Sequence, residues 1–505
     1  MHTIIDHFTR VPWTTIVLGK LSTAWNAVLR FLSSALRFWN RSSITQSCQY
    51  PLTYEQQEAR NDEFVARINK DAIATLVSRH CEKPCQINDF KRGSFNVCFF
   101  VGVLQGDSQW TVRVPIEPAV HDTWGKIQNE VATMQYVRDR TTIPLPDVHT
   151  WGREALTRDL STRQAYVILE YVPGRPLNTY SLAKDTRDRR DYVYSQLIDF
   201  FAQMRQLELP SAGSLMPDSN GGPDPVIGPF LSRHINELQV QRPKVATPSA
   251  PFTSTEDFVL HQLSLIEEAI RLPLGGQSFK DAQREVFALE NLRQVLTKSI
   301  QVNARNDGPF VLCHLDLRGP NIIVDEDLKF MGILDWEFTG SIPVEHFIPP
   351  FWIAGKDLTY ATGGEYRTEF TQFHKILLAK SETSDVHRRL AEEWNADLPY
   401  GMRLPIAELL HHHSQLLSIF FQAIYPQLFQ GPEKEVVAAF FERGENQALA
   451  LEVQRQFESS EAYTQYLKIN NWFEPDDQEE IARAALVQQI EQQMEKLKKF
   501  KTTKH

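Results

Sequence analysis

Residues 311–340 read VLCHLDLRGPNIIVDEDLKFMGILDWEFTG, in which polar side chains interrupt short apolar runs. The length and β-branched content of these runs predict three strands, at Phe310–Cys313, Ile322–Val324 and Met331–Leu334. Four polar residues stand at the ends of the predicted strands, namely His314, Asp316, Asn321 and Asp335. Carboxylates held at strand ends beside an apolar floor indicate a functional site. The alternative is a pair of solvated turns, because Asp and Asn also stabilise turns.

The composition limits the class of protein. A chain of 505 residues is long enough for two or three domains. Its formal net charge of −10 argues against a nucleic-acid partner. Five cysteines are too few and too scattered for a disulfide framework, so we expect a reducing compartment. Cys81 and Cys85 lack the second pair that a zinc site requires.

The first 45 residues differ from the rest of the chain. Asp6 is their only acidic residue, and Ser, Thr and basic residues are frequent. Apolar residues recur at steps of three and four on one predicted helix face: Leu18, Leu21, Trp25, Val28, Leu32, Leu36 and Trp39. This pattern favours a mitochondrial transit peptide, with a cytoplasmic location as the other expectation. The alternative is a helix that contacts a membrane surface or packs on the protein.

Residues 46–175 are predicted to form a β-rich lobe. Alternating residues and turn signals at Gly93 and Gly106 predict a hairpin pattern over residues 88–115. A helix over 123–138 and an apolar strand over 165–172 follow. The sequence Pro-Gly-Arg-Pro at 173–176 ends that strand.

Residues 176–470 are predicted to be rich in helix. Apolar periodicity places helices at Tyr192–Leu207, Asp257–Arg271, Arg284–Asn303, Ile406–Tyr425 and Glu433–Arg443. A segment rich in Gly, Pro and Ser over 210–229 reads as a long loop or hairpin. Residues 471–505 read as a helix with a basic end, whose lysines complement the helix dipole. The predicted fold class is therefore α+β, with two lobes and a cleft between them.

This order of elements gives the opening stretch its meaning. His314-Leu315-Asp316, then Asn321, then Asp335 within Ile-Leu-Asp-Trp-Glu, resembles the catalytic and metal loops of the protein-kinase-like fold. Within that fold the sequence more closely resembles the aminoglycoside phosphotransferase-like family. The form His-Leu-Asp-Leu-Arg-Gly-Pro-Asn is similar to a fungal branch of it, some members of which resemble altered-inheritance-of-mitochondria proteins. The resemblance spans roughly residues 75–470.

The resemblance implies a role for each residue of the second lobe's motif. Asp316 would accept the proton of a substrate hydroxyl and aim that hydroxyl at the γ-phosphate of ATP. Asn321 and Asp335 would hold Mg²⁺, which prefers oxygen ligands. His314 would support the loop by hydrogen bonding rather than act as a base.

The resemblance also implies a nucleotide site in the first lobe. Arg113 occupies the strand position where a phosphate-contacting Lys is expected, and Arg offers a planar fork instead of a compact ammonium. Glu130 would pair with it from a helix; otherwise it is an exposed helix residue. The phosphate-covering turn would use Gly93, Ser94 and Asn96, although it contains a single Gly. The backbone from Glu170 to Val172 would hydrogen-bond adenine.

The expected activity is ATP- and Mg²⁺-dependent transfer of phosphate to a hydroxyl, with a small molecule as the favoured acceptor. The altered glycine turn and Arg113 prompt one alternative, a non-catalytic nucleotide-binding or scaffold protein. A protein hydroxyl as acceptor is a further alternative, because it would use the same catalytic residues. The His411-His412-His413 run is not expected to bind metal, since successive helix residues point in different directions. The sequence does not determine the acceptor or the oligomeric state.

Overall fold

The computed structural model describes residues 50–106, 108–243, 245–302, 306–355 and 364–473. The described residues from Leu52 onward belong to one compact unit. The predicted targeting segment 1–45 and the tail beyond residue 473 lie outside the described residues, so both stay predictions. In the part that is described, no helix is both long and apolar enough to cross a membrane.

Two capped helices precede the first sheet. They are α1 (Tyr54–Arg67) and α2 (Lys70–Cys81). Thr53 and Gln56 form a reciprocal capping box at the start of α1, with N–H···O distances of 3.0 and 3.2 Å. The Asn69 side chain accepts hydrogen bonds from the first N–H groups of α2. Satisfying these otherwise unpaired donors fixes where each helix begins.

The first lobe is built on a five-stranded antiparallel sheet. Its strands are β1 (Cys85–Arg92), β2 (Asn96–Val103), β3 (Gln109–Pro115), β4 (Val148–Glu154) and β5 (Gln164–Glu170). They lie in the order β1-β2-β3-β5-β4, and helix α3 (Thr123–Arg140) connects β3 to β4. The hairpin pattern, the helix and the strand predicted for this region are therefore confirmed.

Apolar clusters cover both faces of the central strands of this sheet. Ile73 and Leu76 of α2 share one apolar cluster with Phe99 of β2. On the other side, Val131 of α3 packs in the same cluster as Val167 of β5. Each such buried side chain contributes about 1.5–3 kcal/mol. This packing holds α3, which carries Glu130, against β5, and β5 pairs with β3, the strand that carries Arg113.

A short crossing joins the sheet to the second lobe. Strand β6 (Arg175–Pro176) pairs with β11 (Ile322–Val324), far along the chain. Gly174 has φ +128°, and a Cβ there would lie 2.6 Å from the carbonyl oxygen of Val324. Only glycine tolerates this backbone conformation and this close approach.

Helices dominate the remainder of the described chain. They are α4 (Thr179–Ala183), α5 (Arg187–Arg205), α6 (Arg233–Gln241), α7 (Thr255–Ile270), α8 (Phe279–Val302), α9 (Gly364–Ser381), α10 (Asp385–Glu393), α11 (Arg403–His411), α12 (Leu416–Ile419), α13 (Tyr425–Leu428), α14 (Glu433–Glu442) and α15 (Gln447–Ile469). The short strands are β7 (Glu208–Leu209), β8 (Ser214–Met216), β9 (Val226–Gly228), β10 (Phe310–Cys313), β12 (Phe330–Ile333) and β13 (Gly340–Pro343). A β-rich part followed by a helix-rich part confirms the α+β class.

Two details of the second lobe differ from the prediction or refine it. The helix predicted over 406–425 is wrong as one element, because α11 ends at His411 and the backbone of His412 has φ −136° and ψ 70°. A 3₁₀ turn, α12, a π-helical turn over Phe420–Ile424 and α13 follow. The segment 210–229 contains the hairpin of β8 and β9.

Candidate active site

His314 links the loop after β10 to the end of β12. It is buried, and its Nε2–H donates to the carbonyl oxygen of Leu334 over 2.9 Å. Its ring lies 4.9 Å from that of Trp336, centroid to centroid. Burial lowers the pKa of His314, which favours the neutral ring. The side chain thus connects the loop after β10 to the end of β12.

Asp316 and Asn321 are brought together within the same loop. The Asn321 amide nitrogen donates to the Asp316 carbonyl oxygen at 2.8 Å and to its carboxylate Oδ2 at 3.3 Å. The 3₁₀ turn Gly319–Asn321 makes this contact geometrically available. The Asp316 side chain remains 34% exposed, and Arg318 Nε lies 3.5 Å from its Oδ2. The carboxylate is therefore oriented but accessible.

Asp335 stands directly after β12 in an unusual backbone conformation. Its φ is +67°, in the left-handed region that Asp tolerates better than most residues. The next residue, Trp336, is fully buried, and its Nε1–H donates to the Ile333 carbonyl oxygen at 2.9 Å. The buried Trp336 side chain thus fixes the turn that contains Asp335. The Asp335 carboxylate accepts a hydrogen bond from Arg113 at 2.5 Å.

Arg113 on β3 contacts three carboxylates with one guanidinium group. It pairs with Glu130 of α3, with Asp335, and with Glu337 at 3.1 Å. Burial alone would lower the pKa of Arg113, but the three carboxylates outweigh it and raise that pKa. For Glu130, burial raises the pKa and Arg113 opposes that shift. The planar fork of Arg allows this triple contact, which a compact ammonium does not match.

Lys126 and Glu337 complete the buried cluster, and the sequence analysis missed both. Lys126 is 1% exposed and forms an ion pair with Glu337. Its Nζ also donates to Asn96 Oδ1 at 2.8 Å, while Asn96 Nδ2 donates to Glu337 at 2.7 Å. The available signals were the four-residue spacing of Lys126 from Glu130 and the two-residue spacing of Glu337 from Asp335.

This arrangement bears on the predicted phosphate turn. The Asn96 side chain is engaged through both its oxygen and its nitrogen, so a contact with phosphate would require those bonds to break. Gly93 N–H donates to the Asn96 carbonyl oxygen at 2.8 Å and closes the turn. Ser94 is exposed at its tip. Phe95 packs edge-on against Phe338, with ring centroids 5.6 Å apart.

The predicted adenine-binding segment runs from the end of β5 toward the second lobe. The N–H groups of Glu170 and Tyr171 donate to the carbonyl oxygens of Asp147 and Gln109, at 2.8 and 3.4 Å. The Glu170 carboxylate accepts from Asp147 N–H at 3.2 Å. Val172 lies against Gly332, where a Cβ would come within 2.9 Å of Val172 Cγ1. Glu170 is therefore hydrogen-bonded within the sheet at the end of β5, and Val172 contacts β12.

A cavity of ≈ 500 Å³ adjoins Asp316, and we call it the acceptor cavity. The loop after β10 forms one wall, and residues 348–351 form another. Glu408 and His411 of α11, together with His412, close a further side. The break after α11 places His411 and His412 here, so the helical reason given for separating the three histidines is wrong.

Comparison with known proteins agrees with this architecture. The chain matches the phosphotransferase enzyme family over residues 88–346. It is 25% identical over 312 residues to clavilactone A biosynthesis cluster protein Y of Ampulloclitocybe clavipes, covering 60% of this chain and 70% of that protein.

Two solved structures are also similar to this chain. One is Plasmodium vivax ethanolamine kinase, with 12% identity, a TM-score of 0.41, and coverage of 77% of this chain and 98% of that one. The other is aminoglycoside phosphotransferase APH(4)-Ia, with 14% identity, a TM-score of 0.38, and coverage of 77% and 99%. Since the family match spans just over half of the chain, this protein belongs to the phosphotransferase enzyme family and has its two-lobed protein-kinase-like fold.

Proposed function

We propose that this phosphotransferase transfers the γ-phosphoryl group of ATP to a hydroxyl of a small molecule, in the presence of Mg²⁺. The observation that carries the proposal is the hydrogen bond from Asn321 to Asp316, with Asp335 tied to Arg113 and Glu130 in the same site. Family membership supports the class of reaction. The cavity beside Asp316 supports an acceptor of small-molecule size, since ligand cavities typically measure about 300–1,000 Å³.

Asp316 is the proposed general base. Its exposed carboxylate would take the proton of the acceptor hydroxyl while the hydroxyl oxygen bonds to the γ-phosphorus. The bond from that phosphorus to the β–γ bridging oxygen breaks, and ADP leaves. The hydrogen bonds from Asn321 keep the carboxylate in one orientation, which reduces the entropy lost in reaching the transition state.

The donor set fits Mg²⁺. The amide nitrogen of Asn321 is used by Asp316, which leaves its oxygen for a cation. Asp335 would contribute a carboxylate oxygen as the second ligand. The buried cluster around it has two cations, Arg113 and Lys126, against three carboxylates. If all are ionised, one negative charge remains for a cation to offset. When bound, Mg²⁺ would neutralise charge on the phosphates.

The adenine of the nucleotide is proposed to contact the protein backbone rather than side chains. Because the N–H groups of Glu170 and Tyr171 are engaged, the N–H of Val172 is the donor proposed for the adenine. Ser94 is exposed at the turn and is proposed to contact phosphate. Arg113 is proposed to position Glu130 and Asp335 rather than to contact phosphate, since its guanidinium group already forms ion pairs with those two carboxylates.

One observation favours the alternative of a nucleotide-binding protein without catalysis. Arg113 bonds directly to Asp335, so a proposed metal ligand already has a cationic partner. In addition, the turn at Gly93 contains a single glycine. Both features weaken the expected hold on phosphate and metal without removing the catalytic carboxylate.

Phosphate transfer to a panel of hydroxyl metabolites separates the two functions. We expect Mg²⁺- and ATP-dependent labelling of at least one acceptor, and loss of that labelling in Asp316→Ala and Asp335→Ala. The measurement is ADP release together with labelled phosphate on the acceptor. Mitochondrial proteins treated with the enzyme and analysed by mass spectrometry test a protein hydroxyl as acceptor. ATP binding without transfer to any metabolite or protein would favour the non-catalytic alternative.

We also propose that the chain belongs to the fungal branch that resembles altered-inheritance-of-mitochondria proteins. The motif from His314 to Asn321 and the acid-poor residues 1–45 support this placement. Residues 1–45 fused to a fluorescent protein should then reach the mitochondrion in fungal cells. Diffuse cytosolic fluorescence would contradict the targeting, and fluorescence on other membranes would indicate a membrane-surface helix instead.

A further inference from the structure

The acceptor cavity adjoins a second cavity. The second, of ≈ 740 Å³, lies between α1, the turn at Gly93 and helices α6 and α7, and we call it the side cavity. Arg233, Glu237 and Ser414 line both cavities, so the two share a rim. A compound whose hydroxyl lies at Asp316 would have to pass these three residues to reach the side cavity. The combined space exceeds what a two-carbon alcohol would fill.

The carboxylates of the acceptor cavity already have partners. Among the described residues, each of the three lies beside a nitrogen-bearing side chain: Asp316 with Arg318 Nε at 3.5 Å, Glu237 with Arg233 Nε at 2.7 Å, and Glu408 with His412 Nε2 at 3.6 Å. Two arginines thus offset two of the carboxylates. A polycationic acceptor would therefore meet no unpaired carboxylate on this lining. The free energy needed to desolvate its charges would exceed the attraction of carboxylates that already have partners.

The third pair is close to neutral at physiological pH. Burial raises the pKa of Glu408 to about 8 and lowers the pKa of His412 to about 4. Glu408 therefore keeps its proton through most of the neutral range, and the ring of His412 stays uncharged. Together they present hydroxyl and ring-nitrogen groups rather than charges.

Other buried polar groups beside these cavities are uncharged and have no partner within the described residues. The amide nitrogen of Gln262, a residue 2% exposed, lines a small cavity together with Asp316. His413, a residue 5% exposed, belongs to the lining of the side cavity, and its Nδ1 atom is buried without a partner. Burial lowers the pKa of His413 to about 3. Both nitrogen atoms have almost no accessible surface, so these residues add no charge to the surroundings of the cavities.

Apolar side chains cover much of the remaining lining. Pro349, Pro350 and Phe351 line the acceptor cavity. Leu238, Leu265 and Leu272 line the side cavity. Removing apolar ligand surface from water against such walls contributes about 25 cal/mol per Å².

We infer that the acceptor is an uncharged hydroxyl compound with an apolar body, its hydroxyl end in the acceptor cavity and its body in the side cavity. The inference rests on the proposed function, because it takes Asp316 as the base that faces the hydroxyl. The shared lining residues, the paired carboxylates and the apolar walls lead to this class.

Two probes that differ only at C2, where one has a hydroxyl and the other a protonated amine, test the inference. They are hexyl β-D-glucopyranoside and its cationic 2-amino-2-deoxy counterpart, each titrated calorimetrically into the full chain. The uncharged glycoside should bind at least about tenfold more tightly, a difference of about 1.4 kcal/mol. Equal or tighter binding of the amine, or no binding of either probe, would overturn the inference.

A charge placed on the shared rim gives a second test. Ser414 is exposed, so Ser414→Asp should fold normally while adding an unpaired carboxylate to both cavities. We expect the preference to move toward the amine by about tenfold. Ser219→Asp is the matched control, because Ser219 is exposed in the hairpin between β8 and β9. An unchanged preference in Ser414→Asp, with thermal unfolding like that of the control, would contradict the inference.

The titrations are run with and without the non-hydrolysable nucleotide Mg-AMP-PNP. Absence of nucleotide binding would count against the proposed function, whereas the probe preference measured without nucleotide still reports on the cavities. The failure of one idea is thereby distinguished from the failure of the other.

Discussion

Asp316→Asn should lower the rate of phosphate transfer by about 10²–10⁴-fold and leave Mg-ATP affinity nearly unchanged. The amide cannot take the hydroxyl proton, so the variant loses help that is given only in the transition state. It keeps an oxygen at the position that accepts from Asn321, so the loop need not rearrange. Calorimetric titration of Mg-ATP and single-turnover transfer measure the two quantities separately.

Asp335→Asn is the matched comparison for Asp316→Asn. It removes a charged ligand proposed for Mg²⁺ and a partner of Arg113, so Mg-ATP binding itself should weaken. Equal loss of binding in the two variants would contradict the division of roles between Asp316 and Asp335. Titration of ADP without Mg²⁺ serves as a control, because the difference between the variants should then shrink.

Lys126→Met should cost about 3–5 kcal/mol in the free energy of unfolding. The substitution leaves Glu337 buried with one cation fewer, and the cluster then has one cation against three carboxylates. Removing one partner of a buried pair costs more than the pair contributes, because the other charge stays desolvated. Thermal and denaturant unfolding of the variant beside wild type measure this loss.

The controls for Lys126→Met separate charge from side-chain loss. Lys375→Met, at an exposed position of α9, should change stability by less than about 0.5 kcal/mol. The double variant Lys126→Met/Glu337→Gln should recover part of the loss, since it returns the cluster to the wild-type surplus of one carboxylate. A Lys126→Met protein as stable as Lys375→Met would show that the cluster is unimportant for folding.

The sequence by itself determined the parts of the site that depend on local order. Alternating residues and turn signals specify β1 to β3, and the strand at 322–324 is specified by its β-branched run. Asp316 and Asn321 are five positions apart in one loop, so the local chain is enough to bring them into contact. Strand β12, observed one residue earlier than predicted, still places Asp335 after its end.

The tertiary structure alone decided which distant side chains share the site. Lys126 and Glu337 are 211 positions apart, as 337 − 126, and they meet because α3 packs against the sheet beside the turn after β12. Asn96 joins them through the fold of β2, and no local pattern distinguishes it from an exposed turn residue.

The acceptor cavity is likewise a product of packing. It combines residues near 233, 316, 350 and 411, which belong to four separate segments. The end of α11 at His411 could not be predicted from the sequence, because the local apolar periodicity continues past it. Hydrophobic periodicity reports which face of an element is buried, whereas the partner of a buried charge depends on how whole lobes fit together.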